Sequence, residues 1–188
     1  MSGNRGPASA PSKGRGIVLI GMPGAGKSTV GVLVAKHLGL GFVDTDLLIQ
    51  QRAGRRLQEI LAGEGYRELR RLEEEAILAL EARSAVIATG GSAVYSERAM
   101  RHLGETGVIV YLRAGLDLLV ARIDDYDRRG VANPPDLSFE EIHRERTPLY
   151  ERCADAIVEV DGLTHEGVAR AVMAAAREAS SKLPRLRS

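Results

Sequence analysis

The sequence predicts a three-layer α/β fold, with helices on both faces of a five-stranded parallel sheet. Five short apolar runs alternate with segments in which apolar residues recur at helical spacing. The runs are apolar throughout rather than alternately polar, as in parallel strands that helices cover on both faces. With 188 residues, of which 44% are hydrophobic, the chain is long enough for one domain with its own core.

The predicted strands span 16–21, 41–44, 85–89, 108–112 and 156–160. The first ends in Gly21, and the third runs directly into Gly90 and Gly91. Glycine after an apolar run indicates the end of a strand and a change in chain direction. Because helices separate consecutive strands, each connection is a crossover of the kind that joins parallel strands.

Helices are expected between and after the strands, at 26–37, 47–52, 57–61, 66–81, 96–103, 116–123, 138–154 and 164–178. Gly39 follows the first of them as a stop signal. Ser138 is a natural N-cap, and Glu141 three residues later completes a capping box. Segment 66–81 carries many Glu and Arg residues, which we assign to its outer face.

Three segments lie outside this pattern. Residues 1–15 are rich in Gly, Ser, Pro and basic residues and lack the apolar centre of a secretory signal, so we expect a disordered tail. Residues 124–137 are polar and contain a glycine and two adjacent prolines, which predicts a loop. A single domain over 16–180 is therefore expected, followed by a short tail over 181–188.

The bulk composition argues against several classes of function. Twenty-six basic residues balance 25 acidic ones, so the net charge of +1 gives no sign of a nucleic-acid or membrane partner. No apolar run approaches the roughly 18 residues of a membrane helix. The single cysteine, Cys153, is expected to be a small packing residue and fits a reducing compartment. We expect a cytoplasmic monomer that acts on a small molecule.

Residues 21–28 read Gly-Met-Pro-Gly-Ala-Gly-Lys-Ser and match the P-loop pattern. A strand precedes them and a helix follows, the context in which loop N–H groups and a helix N-terminus bind phosphates. Lys27 is expected to reach the β- and γ-phosphates of ATP, and Ser28 to ligate Mg²⁺. A Gly-rich turn with a surface lysine is the alternative, but it does not account for the flanking strand and helix. The guanine-reading Asn-Lys-x-Asp sequence is absent, which favours a small kinase.

Two carboxylates, Asp44 and Asp46, lie where the second strand ends. Ligands of open parallel sheets bind at the carboxyl ends of the strands, so both carboxylates can face the P-loop. One could hold Mg²⁺ through water while the other accepts a hydrogen bond from a substrate hydroxyl. Equally, Asp46 or Thr45 could serve as the N-cap of the next helix. The residues alone leave both possibilities open.

Over roughly residues 16–178 the sequence resembles the shikimate kinase family. The motifs that carry the resemblance occur in order and at compatible spacing: the P-loop, Asp44-Thr45-Asp46, Leu69-Arg70-Arg71-Leu72-Glu73-Glu74, Gly90-Gly91-Ser92, Arg122 and Glu145-Arg146-Thr147-Pro148-Leu149-Tyr150. The resemblance implies a P-loop kinase fold with strand order 2-3-1-4-5. It also implies ATP- and Mg²⁺-dependent conversion of shikimate to shikimate 3-phosphate, in aromatic amino acid biosynthesis.

The resemblance implies a role for each matching residue. Asp46 would bind the acceptor hydroxyls and would either act as the general base or be oriented toward the general base. Asp44 would hold magnesium through water. Arg122 would lie against the adenine. The nucleotide would be bound by Gly24, Ala25, Gly26, Lys27, Ser28 and Thr29. The substrate would be bound by Asp46, Arg70, Gly90, Gly91, Ser92 and Arg146. Gly90 and Gly91 would contribute their backbone N–H groups.

Arg70 and Arg146 are implied to clamp a substrate carboxylate. A guanidinium group matches a carboxylate with two parallel N–H···O bonds, which a lysine cannot provide. Both arginines also lie in charged helical segments, and either could belong to a solvated face of ion pairs. Their joint presence in a P-loop protein favours an anionic acceptor, a carboxylate-bearing polyol.

The sequence departs from the family on the acceptor side. Ser92 replaces a third glycine, and Leu69 replaces a phenylalanine beside the acidic ring. Two acceptors therefore stay open, shikimate or another small hydroxy acid or polyol. A nucleotide-binding regulatory module without phosphotransfer is a further possibility. Against it stand the intact Lys27, Ser28, Asp44 and Asp46.

The lid expected over 124–137 departs as well, because it lacks an Arg-Pro-Leu-Leu run. Arg129 lies seven residues after Arg122, a spacing that the family also uses, and we assign it as the lid arginine. Arg128 is the rival. Together with Lys27, the lid arginine is expected to stabilise the transferring phosphoryl group during direct in-line transfer, without a phosphoenzyme.

Overall fold

A computed structural model describes residues 15–82, 84–122, 132–134 and 136–182. Within them, five parallel strands form one sheet in the order β2-β3-β1-β4-β5, which confirms the predicted fold class and strand order. The strands are β1 Gly16–Ile20, β2 Gly41–Asp44, β3 Ala85–Ala88, β4 Gly107–Arg113 and β5 Ala156–Glu159.

The described residues contain seven α-helices. They are α1 Lys27–Leu38, α2 Thr45–Ala53, α3 Leu57–Leu78, α4 Glu97–Thr106, α5 Leu116–Arg122, α6 Phe139–Cys153 and α7 His165–Lys182. None of these helices is long and apolar enough to cross a membrane. The predicted tails, apart from Arg15 and the end of α7, and most of the predicted lid lie outside the described residues.

The central strand β1 explains why the apolar runs are continuous. Its residues are buried from Ile17 to Ile20, between β3 on one side and β4 on the other. Helices α1 and α7 pack on each other and on the sheet, while α3 and α4 form a second packed pair. Side chains on both faces of the central strands are therefore covered, as the sequence pattern predicts.

Two tyrosines and the single cysteine pack in the core. The rings of Tyr111 and Tyr150 are buried and stacked, with centroids 5.0 Å apart. Cys153 is half-buried against the same core, and burial raises the pKa of its thiol, which suits a packing residue.

Helix α2 begins two residues earlier than predicted, and its cap is Asp44. The Asp44 Oδ1 atom accepts hydrogen bonds from the backbone N–H groups of Asp46, at 3.0 Å, and Leu47, at 3.3 Å. The capping role that the sequence left to Asp46 or Thr45 thus belongs to the last residue of β2. Asp46, in the first turn of the helix, is left for another role.

The predicted helices over 57–61 and 66–81 form one element, α3, that breaks at Gly65. Gly65 has φ 81° and ψ 174°, a conformation that only glycine adopts readily. The predicted capping box of α6 is confirmed, since Glu141 N–H donates to Ser138 Oγ at 3.2 Å and Ser138 N–H donates to Glu141 Oε2 at 2.8 Å.

Strand register brings the candidate residues to one edge of the sheet. Ala88, at the end of β3, is level with both Asp44 in β2 and Leu19 in β1. The segments that follow these three strands therefore lie side by side. They are the P-loop, the start of α2 and the turn over 89–92.

Candidate active site

A cavity of about 460 Å³ opens at this edge of the sheet. Most predicted site residues line it: Gly24, Gly26, Lys27, Ser28, Thr29, Asp46, Gly90, Gly91, Ser92, Arg122 and Arg146. Three predicted residues do not, namely Ala25, Asp44 and Arg70. Arg129 and its rival Arg128 lie outside the described residues.

The P-loop has the backbone that its glycines permit. Gly24 and Gly26 have φ of 84° and 90°, in the left-handed region where a side chain is strained. Gly26 precedes α1, and no described side chain caps this helix start. The first N–H groups of a twelve-residue helix are thus directed toward the loop, which is the arrangement that binds phosphate.

Lys27 folds back over the P-loop. Its Nζ atom donates to the carbonyl oxygens of Gly21, at 2.8 Å, and Met22, at 2.9 Å. Burial lowers the pKa of Lys27 to about 8, although the carboxylates of Asp46, Glu73 and Asp44 raise it. An anion that enters the cavity would favour the charged ammonium form.

Asp46 faces the cavity from the first turn of α2. Burial, and to a lesser degree the nearby Asp44 charge, raises the pKa of Asp46 to about 6, while Lys27 lowers it. A carboxyl group with this pKa is half ionised near pH 6 and can accept a proton near neutral pH.

The turn after β3 needs glycine for space rather than for a positive φ. A Cβ atom on Gly90 would lie 2.7 Å from Asp46 Oδ1 and would also clash with Glu73 Oε1. A Cβ atom on Gly91 would lie 2.9 Å from Pro23 Cδ and 3.0 Å from Arg146 Nη1. The two glycines let carboxylates approach one side of the turn and a guanidinium the other.

The polar groups of this turn are partly paired within the protein. Gly90 N–H donates to Thr45 Oγ1 at 2.9 Å, and the Tyr150 hydroxyl donates to Gly91 O at 2.6 Å. The Gly90 N–H, which the resemblance assigns to the substrate, is therefore already bonded. Both bonds fix the turn against α2 and α6.

Glu73 is a site residue that the sequence did not single out, because many of the charged residues of its helix were assigned to the outer face. It is 3% exposed and lines the cavity, and Ser92 Oγ donates to its Oε2. Its Oε1 is buried with no hydrogen-bond partner among the described residues. Burial, then the Asp46 charge, raises the pKa of Glu73 to about 7. Helical spacing could have revealed it, because Leu69, Ala76 and Ile77 share its buried face.

Arg146 is fully buried, which excludes the solvated charged face that the sequence allowed. Its Nη2 atom donates to Ala132 O at 2.9 Å, and its Nε to the Tyr95 hydroxyl at 3.3 Å. A large buried cation beside a cavity, without a described carboxylate in salt-bridge contact, suits the binding of an anion.

Arg70 is half-buried and converges on the same carbonyl. Its Nε atom donates to Ala132 O at 3.1 Å. It lines an adjoining cavity of about 570 Å³ that shares Glu73 and Ser92 with the main one. The ion pairs between residues of α3 are made by its neighbour Arg71, with Glu68 and Glu75. The position of Arg70 is therefore distinct from the charged outer face.

Two further residues border the nucleotide end of the cavity. Arg122 is exposed, and its Nη1 atom lies 3.4 Å from Gly24 O. His165, at the start of α7, lies beside Gly26 and lines the cavity. No sequence pattern indicated His165 in this role, because none of the four histidines shows metal-ligand spacing. Among the described residues there is no group of three or more His, Cys, Asp or Glu residues that could hold a metal by itself.

Comparisons with known proteins point to one family. The family model described as shikimate kinase matches residues 23–177. The shikimate kinase of Thermodesulfovibrio yellowstonii is 39% identical over 162 residues, which cover 85% of this chain and 93% of that protein. The shikimate kinase of Mycobacterium avium is 41% identical over 160 residues, covering 83% and 90%. A solved structure of shikimate kinase from Acinetobacter baumannii in complex with shikimate is 30% identical, with a TM-score of 0.74 and coverage of 85% and 90%.

Proposed function

Because the chain belongs to the shikimate kinase family, we propose that it transfers the γ-phosphoryl group of ATP to a hydroxyl group of shikimate. One observation carries the proposal. A single cavity holds the Lys27 ammonium at the P-loop and the Asp46 carboxylate and Arg146 guanidinium on the two sides of the turn over 90–91. The phosphates, the acceptor hydroxyl and the acceptor carboxylate thus each have a group of matching chemistry.

The two arginines support an acceptor that carries a carboxylate. Arg70 Nε and Arg146 Nη2 both donate to one oxygen, that of Ala132. Two guanidinium groups that can share a carbonyl oxygen can also share a carboxylate, which is the stronger acceptor. On this proposal the substrate carboxylate replaces the Ala132 carbonyl.

The transfer step needs few groups. The acceptor oxygen attacks the γ-phosphorus in line, the bond from that phosphorus to the β-phosphate oxygen breaks, and ADP leaves. Asp46 takes the hydroxyl proton as general base, and Lys27 stabilises charge on the phosphoryl oxygens. We keep Arg129 as the proposed lid arginine for the same charge.

The turn over 90–92 differs from the expectation that the N–H groups of both Gly90 and Gly91 bind the substrate. Gly90 N–H is bonded to Thr45, so its proposed contribution is the space left by its missing side chain. We assign substrate contact to Gly91 and Ser92, which also line the cavity. At the other end, Arg122 and His165 border the P-loop, and we propose that the adenine lies beside them.

The residues present fit Mg²⁺ bound mainly by phosphate and water. Ser28 lines the cavity directly after Lys27, and Asp44 lies behind Asp46 with one oxygen used as a helix cap. Mg²⁺ commonly keeps several waters and takes one or two protein ligands beside phosphates. Ser28, and Asp44 through water, would hold the ion, which would neutralise charge on the phosphates.

Another small hydroxy acid or polyol is the second candidate acceptor, because Ser92 and Leu69 both line the cavity at positions that differ from the family pattern. A regulatory module without phosphotransfer is disfavoured by Lys27 and Asp46, which lie in one cavity with shifted pKa values.

The test is ADP release with a panel of acceptors: shikimate, quinate, gluconate and small polyols. We expect shikimate to give by far the highest kcat/KM. Lys27→Ala should abolish turnover, whereas Lys36→Ala, on the exposed side of the same helix, should not change it. Faster turnover of another acceptor would identify that compound as the substrate. If no acceptor in the panel supported ADP release, the regulatory module would be favoured.

We further propose a cytoplasmic monomer that acts without nucleic acid or membrane. The balanced net charge of +1 supports the expected absence of a nucleic-acid or membrane partner. Light scattering at assay concentration would measure the mass directly, and a dimer mass would refute the monomer.

A further inference from the structure

The guanidinium groups of Arg70 and Arg146 lie close enough to repel each other, and the Ala132 carbonyl alone does not offset this repulsion. Arg70 and Arg146 donate to one oxygen at 3.1 and 2.9 Å, so two cations lie side by side. Like charges at such separation repel, more strongly in a partly buried place than in water. A single carbonyl oxygen carries only a partial charge, so another group must help to hold them.

Tyr95 contacts both arginines. The Cζ atom of Arg70 lies 3.8 Å from the centroid of the Tyr95 ring, and that of Arg146 lies 5.2 Å from it. Both distances are within the range in which an aromatic face attracts a cation. The ring therefore attracts each guanidinium group without bringing a net charge into the site.

The Tyr95 hydroxyl adds direction to this attraction. It accepts a hydrogen bond from Arg146 Nε at 3.3 Å and donates one to Glu145 Oε1 at 2.7 Å. A hydroxyl that donates to a carboxylate becomes a better acceptor, since successive hydrogen bonds polarise one another. Glu145 thereby acts on Arg146 through Tyr95, without making a salt bridge to it.

The backbone holds the Tyr95 ring in place. Tyr95 ends a short 3₁₀-helix, Ala93–Tyr95, in which its N–H donates to Ser92 O at 3.0 Å. The two preceding residues are buried in the core, and Ser92 is bonded to Glu73 in the cavity. The direction of the ring is thus set by the same turn that forms the acceptor pocket.

We propose that Tyr95 is the positioning residue that keeps Arg70 and Arg146 aligned as one carboxylate clamp. Tyr95 does not line the main cavity, so it acts through the arginines rather than on the substrate. The inference rests on the proposed function for its consequence in catalysis, but the alignment itself is a property of the protein alone. It also makes Tyr95 a determinant of specificity for anionic acceptors.

The kinetic test compares shikimate with its neutral methyl ester in three variants. Tyr95→Leu removes the ring and the hydroxyl, and we expect kcat/KM for shikimate to fall about tenfold, mostly through KM. Tyr95→Phe keeps the ring and should cost only about threefold. The ester should respond little, so the shikimate-to-ester preference falls with each change.

Tyr66→Leu is the matched control. Tyr66 also faces Arg70, but at 5.1 Å, and no contact of its ring with Arg146 is found among the described residues. Its loss should change the preference clearly less than the loss of Tyr95. An equal effect, or an equal fall for shikimate and ester in the Tyr95 variants, would overturn the proposal in favour of general packing.

A second readout does not depend on the acceptor. Side-chain ¹H–¹⁵N NMR spectra report the Nε–H groups of Arg70 and Arg146, whose shifts the ring and the hydroxyl influence. We expect both signals to move in Tyr95→Leu, and the Arg146 signal to move in Tyr95→Phe. If wild-type protein failed to phosphorylate shikimate, the proposed function would fail while this spectrum still decided the role of Tyr95. Unmoved signals would overturn it.

Discussion

At the scale of single residues, the site depends on buried ionisable groups, and burial disfavours the charged form of each. Burial lowers the pKa of Lys27 to about 8 and raises the pKa of Asp46 to about 6 and of Glu73 to about 7. The charges of these three groups act on one another, so we expect ligand binding to shift their pKa values together. Such shifts are typical of sites where charge is transferred or neutralised.

Asp46 predicts the acid limb of the pH profile. Below about pH 6 the carboxyl group is protonated and cannot accept the hydroxyl proton, so kcat/KM should fall as pH decreases through that value. Asp46→Asn should lower kcat by about 10²–10⁴. Initial rates with shikimate from about pH 5 to about pH 9 measure both. Wild-type rates in Asp46→Asn would remove Asp46 as the base.

Glu73 predicts a pH dependence of stability. Between its ordinary pKa of 4.5 and about 7, the folded protein holds a proton that the unfolded chain has released, so stability is lost as pH rises through this range. Glu73→Gln cannot ionise but can still accept from Ser92. It should therefore be more stable than wild type at pH 8 by about 2 kcal/mol, with little difference at pH 4.5.

Urea unfolding at both pH values measures this, with Glu75→Gln as the control on the same helix. Glu75 is exposed and pairs with Arg71, so its replacement should change stability by less than about 1 kcal/mol at either pH. A Glu73→Gln protein with the wild-type pH dependence would show that Glu73 does not titrate in this range.

At the scale of elements, the turn after β3 organises the acceptor side. Thr45 anchors its first glycine to α2, and Tyr150 anchors its second to α6. Asp46 and Glu73 also lie close to Gly90, and Arg146 lies close to Gly91. The small residues of the turn are needed for that approach, because their φ values are not positive.

Gly90→Ala tests this packing. The added methyl group would press on Asp46 and Glu73, so we expect a loss of about 1–3 kcal/mol in unfolding free energy and at least a tenfold fall in kcat/KM for shikimate. ATP affinity should change little. Gly63→Ala is the control, since Gly63 is exposed in α3 with open space around it and should gain up to about 1 kcal/mol. Equal behaviour of the two variants in unfolding and kinetics would contradict the role of the turn.

The elements were largely predictable because their signals are local. Continuous apolar runs, the Ser138–Glu141 capping box and the glycine after α1 all depend on neighbours within a few residues. The misplaced start of α2 shows the limit. Asp44 is both the last residue of a strand and the cap of a helix, and only the tertiary structure decides which neighbouring residue takes the cap.

At the scale of the whole molecule, strand order and the acceptor site depend on contacts that local patterns do not contain. The order 2-3-1-4-5 came from resemblance, since periodicity does not say which strands pair. Arg70 meets Ala132, which is 62 residues away, and Arg146 meets Tyr95, which is 51 away. Tyr95, His165 and Ala132 therefore carried no signal in sequence. Glu73 did, but the abundance of charge around it concealed the signal.

The regions proposed to bind the nucleotide and the acceptor thus lie at the same edge of the sheet. On the proposed function, the P-loop and the start of α1 offer N–H groups and an ammonium to the phosphates of ATP. The opposite wall would offer carboxylates and guanidinium groups to the acceptor. Transfer between the two substrates requires both to be bound with water excluded, because water is itself an acceptor.

Product identification tests this most directly. Wild-type protein is incubated with Mg²⁺, ATP and shikimate, and ³¹P NMR with mass spectrometry follows the γ-phosphoryl group. We predict one phosphate monoester of shikimate, formed in equal amount to ADP. Formation of ADP with inorganic phosphate, while shikimate stays unmodified, would contradict the account.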